Sequence, residues 1–180
     1  MNQGTHSATD RRAVLIAQIK EETSIDEDMI ERLVHGFYAR VREDDVIGPI
    51  FNAKIKDWGP HLERMCEFWS SVALMSGRYH GQPMIKHLPL PIDGRHFDRW
   101  LALFEAAAQA LCPPNAAAHF IQLARRIGES LELGIASAQG VLLRKGERYL
   151  ADEQSDDDVA GREQRPLDVP DTFTAVRRES

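Results

Sequence analysis

Apolar positions recur along most of this chain at intervals of three and four residues, the period of a helix with one buried side, and no stretch sustains the alternation of a half-buried strand. The fold predicted is all-α. A leading helix near Asp10 to Glu22 has one mildly apolar side, made by Val14, Leu15, Gln18 and Ile19. Ser24 is placed to cap a second helix, from about Ile25 to Arg42, whose inner face is Met29, Ile30, Leu33, Val34, Phe37, Tyr38 and Val41. Asp26, Glu27 and Asp28 suit its positive N-terminal end. Asp44 to Phe51 breaks the pattern and reads as a corner with a short turn of helix, Phe51 being its apolar tip.

A third helix begins near Asp57 or Gly59-Pro60 and runs to about Ser76, with His61, Met65, Phe68, Trp69 and Val72 on one stripe. That spacing puts His61 on the buried face, near its outer end. A fourth runs from about Asp93 to Leu111, with Phe97, Trp100, Leu101, Phe104, Ala107 and Ala108 inward, and Cys112-Pro113-Pro114 stops it. Asn115 is placed to cap the last, which passes through Phe120, Leu123, Ala124, Ile127, Leu131 and Ile135 to near Leu143.

Between the third and fourth helices lies Gly81-Gln82-Pro83-Met84-Ile85-Lys86-His87-Leu88-Pro89-Leu90-Pro91. One proline can open a helix and two must close it, which leaves Met84 to Leu88, barely more than a turn. A segment too short to be stable alone serves to present a side chain, and the one there with ligand chemistry is His87.

Charge changes the picture at the C-terminus. Residues 151–180 hold nine acidic and four basic side chains, a net of −5 out of the chain's −6. Their polar composition predicts a disordered tail, so the chain divides into an extension over 1–24, a domain over 25–145 and an acidic tail over 146–180. The nearly neutral body has no basic stripe for nucleic acid. No apolar run approaches the ~20 residues that span a bilayer. The first ten residues lack a signal pattern and the two cysteines, Cys66 and Cys112, make no disulfide framework, so a cytoplasmic location is expected.

Singly, Tyr38 reads as a core tyrosine, Phe51 and Trp100 as core fillers, and His61 and His87 as half-buried histidines bonded to backbone. As a set, they place polar tips at inward positions of apolar helices, and buried polar tips need partners. A flat apolar cofactor with one metal centre would satisfy them all. His35, His80, His96 and His119 match no ligand position and read as surface histidines, and the chain has no His-Glu-x-x-His.

Phe37-Tyr38, Gly48-Pro49-Ile50-Phe51, His61 with Phe68-Trp69, Gly77-x-Tyr79-x-Gly81-Gln82-Pro83, Lys86-His87-Leu88 and Phe97-x-x-Trp100-Leu101 together resemble the group III truncated haemoglobins over about residues 25–137. The resemblance implies a globin-like two-over-two helical sandwich around haem b, with the segment bearing the proximal histidine cut to about a turn. It implies His87 as the iron ligand, neutral, with its other nitrogen donating to a backbone carbonyl. It gives Phe51 the place of the phenylalanine against the porphyrin, Tyr38 and Trp100 those of the distal donors, and His61 that of the distal histidine, as gate or third contact. Met65 is placed over the distal side, with Phe68, Tyr79 and Lys86 also against the cofactor. Arg64, Arg78, Tyr79, Lys86, Arg95 and Arg99 are candidate propionate partners.

The function implied is tight binding of dioxygen and other diatomic ligands, in redox chemistry such as nitric oxide dioxygenation or peroxide reactions, with a separate reductase as partner. The alternatives are a non-catalytic oxygen or diatomic carrier or sensor, and a haem-free helical interaction protein with structural histidines.

Overall fold

The structure, a computed structural model, describes residues 8–151, and the side chains of residues 13–151. The expected acidic tail beyond residue 151 and the first residues of the extension lie outside them. Among the described residues the chain is helical, without strands, in the order α1 (Ala8–Thr23), α2 (Glu27–Glu43), α3 (Gly48–Lys54), α4 (Trp58–Ala73), α5 (Pro83–His87), α6 (Gly94–Leu111) and α7 (Pro114–Ala138). Helix α2 packs on both α4 and α6, α6 packs on α7, and α4 also meets α7, which makes the two-over-two sandwich.

The seven inward positions read from the periodicity of α2 are all buried. They close on an aromatic stack in which Phe104 lies between two indoles. Trp69 stacks on it at 4.7 Å and 18°, and Trp100 at 5.5 Å and 16°. Phe37 meets Phe104 edge-on at 5.1 Å and Trp100 at 5.6 Å. Each such ring adds packing energy beyond its burial, about 0.5–1.5 kcal/mol. The stack ties α2, α4 and α6 together and holds Trp100 by one face.

The helix ends differ from those read from the sequence. Ser24 does not cap α2: it adopts φ 54°, and its N–H bonds the Lys20 carbonyl at 2.9 Å, so it closes α1. Asp26 is the cap, its carboxylate accepting from the Met29 N–H at 2.8 Å. Asn115 does not cap α7 either. That helix opens on Pro114, whose missing N–H costs nothing in a first turn, and Asn115 donates to the Glu22 carbonyl at 3.2 Å. At its far end α7 stops at Ala138 rather than near Leu143, because Gly140 turns into the left-handed region at φ 78° and lets the Val141 N–H reach the Ala136 carbonyl at 2.9 Å.

The segment after α7 returns to the body. The Arg148 guanidinium bonds both oxygens of the buried Glu132 carboxylate on α7, at 3.0 Å from Nε, and also Asp98 at 2.6 Å and the Gly94 carbonyl at 2.9 Å on α6. Tyr149 adds bonds from its N–H to Glu132 at 2.8 Å and from the Gly94 N–H to its carbonyl at 2.6 Å. A Cβ on Gly94 would stand 2.9 Å from Glu132 Oε1 and the Tyr149 oxygen, so only glycine permits this approach. Residues 148–151, at the start of the stretch read as an acidic tail, are thus docked on α6 and α7 as a clamp.

Arg148→Ala would strand a carboxylate whose residue is 5% exposed. A loss of about 1–3 kcal/mol is expected, because Arg148 itself is half exposed and only its partner is buried. It would appear as a lower urea midpoint. Ending the chain after Gly146 should cost at least as much, and ending it after Ala151, which preserves every bond of the clamp, should cost nothing.

Candidate haem site

Tyr38 lies on the inner face of α2, 5% exposed, with its ring among those of Phe51 on α3 at 6.0 Å, Trp58 at 6.0 Å and His61 at 5.2 Å. Burial, and secondarily the charge of Cys66, pushes its phenol far above the ordinary value, so it stays a protonated donor. Burial, and after it the charges of Glu31 and Glu27, raises the Cys66 thiol to about 11.

His61 occupies the first turns of α4, half-buried, and stands edge-on to Tyr38 at 88° and to Trp58 at 88°. Its Nε2 is buried without a hydrogen-bond partner. Burial first, then the charges of Arg64 and His87, lower its pKa, so it is a neutral imidazole at neutral pH.

His87 ends α5. Pro83 opens this five-residue helix, and His87, one turn on, places its Nδ1 2.7 Å from the Pro83 oxygen. A carbonyl accepts only, so Nδ1 carries the proton and Nε2 keeps its lone pair. Helix α5 is held from below by Met84, whose thioether lies over Gly134 of α7 in the space a Cβ would fill.

Helix α5 packs on α7 and makes no backbone approach to α4. Between them α4 presents His61, Met65, Phe68 and Val72, all only half-buried, whereas Trp69 and Ala73 on its other side are fully buried in the core. The lower flank of this slot is a cavity of about 430 Å³, lined by Phe68, Val72, Pro83, Met84, Ile127 and Leu131 among others. His87, His61 and Tyr38 stand outside that wall. Tyr79 packs on Phe68 at 5.2 Å, with its phenol folded over Gly81.

These features meet the needs of a haem. An apolar stripe is left half-covered, an imidazole is oriented through one nitrogen with its second nitrogen available, and the buried His61 Nε2 lacks a partner. Among the described residues no cluster of three metal-binding side chains competes.

The candidate propionate partners divide. Arg99 belongs to Asp44, whose carboxylate it meets at 2.6 Å, Arg95 to Asp93 at 2.8 Å and Arg78 to Glu27 at 3.1 Å. That leaves Arg64, Lys86 and Tyr79 as the less committed groups. Burial raises the Asp93 carboxyl, but bonds from Arg95, His96 and two backbone N–H groups outweigh it and hold the pKa at about 2. His96 and His119 are not surface histidines: His96 Nδ1 accepts from the Asp93 N–H at 3.2 Å and completes the α6 cap, and His119 Nε2 is buried without a partner.

Trp58 joins the site without having been singled out from the sequence. It stands at the first position of α4, three residues before His61, where the helical period had only signalled an end. An aromatic one turn before an inward histidine was the available sign.

A family model described as bacterial-like globin matches residues 25–127. Over 92 residues the chain is 41% identical to the group 3 truncated hemoglobin ctb of Campylobacter jejuni, which spans 48% of this chain and 72% of that protein. Over 86 residues it is 28% identical to the group 2 truncated hemoglobin YjbI of Bacillus subtilis, which spans 47% of this chain and 65% of that one. The crystal structure of the group III truncated hemoglobin from Campylobacter jejuni aligns with a TM-score of 0.58 and 32% identity, covering 68% of this chain and 95% of that one.

Proposed function

From the premise that this chain belongs to the bacterial-like globin family, as a group III truncated haemoglobin, we propose that it holds haem b on His87 and retains dioxygen through Tyr38 and Trp100. Haem-based binding of diatomic ligands follows from the family. When bound, haem supplies an iron centre that takes a diatomic gas and exchanges an electron.

The observation that carries the assignment is the His87 Nδ1 bond to the Pro83 carbonyl, which leaves the second nitrogen of a half-buried imidazole available. The roles of this chain's residues follow. His87 ligates through Nε2, and its Nδ1 proton stays on the carbonyl, which fixes the ring's orientation. The Tyr38 phenol and the Trp100 indole donate to the ligand, and the buried rings around them exclude water, which strengthens each bond. Phe51, beside Tyr38, and Met65 and Phe68 along α4 would line the cofactor. His61 closes the outer edge as a neutral gate. Lys86, Arg64 and Tyr79 meet the propionates.

Slow ligand release favours redox use over delivery. The reaction we assign is oxidation of nitric oxide, in which nitric oxide, dioxygen and one electron give nitrate, the electron coming from a separate reductase. Rapid mixing of the oxygenated protein with nitric oxide tests it: nitrate should form far faster than the oxygenated form decays alone. Decay at the spontaneous rate would assign the protein to carriage or sensing.

A further inference from the structure

We propose that Trp58, seated under the Arg42 guanidinium, is a latch that sets the size of ligand admitted past His61. The inference rests on the reading above that His61 closes the outer edge of the ligand pocket.

The His61 imidazole is held by no hydrogen bond at Nε2 and by two perpendicular ring contacts, Tyr38 at 5.2 Å and Trp58 at 5.6 Å. The two walls are unequal. Tyr38 is part of the core, packed on Phe37 at 4.8 Å and 5% exposed, and has nowhere to go. Trp58 is half-buried at the start of α4, so the movable wall is the indole. At the helix start Asp57 accepts from the Gly59 N–H at 3.1 Å, which caps the turn that carries the indole.

That side chain is in turn covered: Arg42 Cζ, one helical turn beyond Tyr38 on α2, lies 4.9 Å from the indole centroid. An outward swing of His61 must therefore displace the indole and break its contact with the guanidinium. Aromatic and cation–π contacts of this kind together slow such a swing by about tenfold. A diatomic gas needs only a small ring displacement, whereas a branched ligand needs the indole moved aside. Trp58 is thus a specificity-determining residue and Arg42 its positioning residue.

The test is the association rate of the haem-loaded ferrous full chain with carbon monoxide and with methyl, n-butyl and tert-butyl isocyanide. Trp58→Ala should accelerate tert-butyl isocyanide about tenfold, while carbon monoxide changes by less than about twofold. Trp58→Phe, which keeps a perpendicular ring, should stay near the parent ratio. Arg42→Gln, which removes only the cover, should raise the rate for the bulky probe by about two- to fivefold. Equal acceleration of all four probes by Trp58→Ala, or no change in their ratio, would overturn the latch. If that variant fails to hold haem, an unchanged ratio in Arg42→Gln overturns it instead. A parent chain without a Soret band overturns the haem reading itself, and the latch with it.

Discussion

His87→Gly should abolish haem ligation by the protein. Partners in the outer sphere of a metal ligand already cost roughly 10–100-fold in metal affinity when lost, and removing the ligand itself should exceed the upper figure. The expected result is a ferrous spectrum without the histidine-ligated form, fast transfer of haem to a competing apoglobin, and recovery of the ligated spectrum on adding imidazole. Recovery matters, because it separates loss of the ligand from loss of the pocket. Helix α5 contributes little to the core, being five residues docked through Met84 over Gly134, so the helical content of the variant should match the parent. An unaltered spectrum with haem retained would mean that another residue holds the iron.

The second large effect is at the distal donors. Tyr38→Phe removes one hydroxyl and keeps a ring already packed on Phe37, Phe51, Trp58 and His61, so the change isolates the hydrogen bond. A charge-assisted bond to a ligand that carries partial negative charge is worth roughly 1–3 kcal/mol, which predicts dioxygen dissociation faster by about fivefold to over a hundredfold. Trp100→Phe should act in the same direction. Its size is less clean, because the indole also stacks on Phe104 and a smaller ring loosens that stack. The double variant should fall short of the product of the two if both donors share one oxygen atom, since neighbouring groups are not additive. Dissociation unchanged in both single variants would place the donors elsewhere.

Local chemistry explains what is legible in the sequence. The inner face of α2 could be written down from its period, and Met29, Ile30, Leu33, Val34, Phe37, Tyr38 and Val41 are its buried residues. The one-turn length of α5 follows from where prolines are tolerated, and Pro83–His87 lies within a residue of the expected span. Ser24 and Asn115 show the limit. Both have capping side chains, yet Asp26 and Pro114 took the ends, because which of several adjacent candidates caps a helix depends on where the preceding helix must stop. Arg99 and Arg95 were read as neighbours of a cofactor because they are near it in sequence, but buried Asp44 and Asp93 claim them first.

By itself, then, the amino-acid order determined what periodicity and proline chemistry control: an all-α chain, its apolar faces, and a presented histidine. Tertiary structure alone decided the pairings between residues far apart in the chain. Arg148 with Glu132, Arg42 over Trp58, and His61 between Tyr38 and Trp58 are all of this kind. The reason is physical. A helical period is set by the backbone and repeats within a few residues, whereas an ion pair or a ring contact is fixed only when two packed helices choose their relative angle and register.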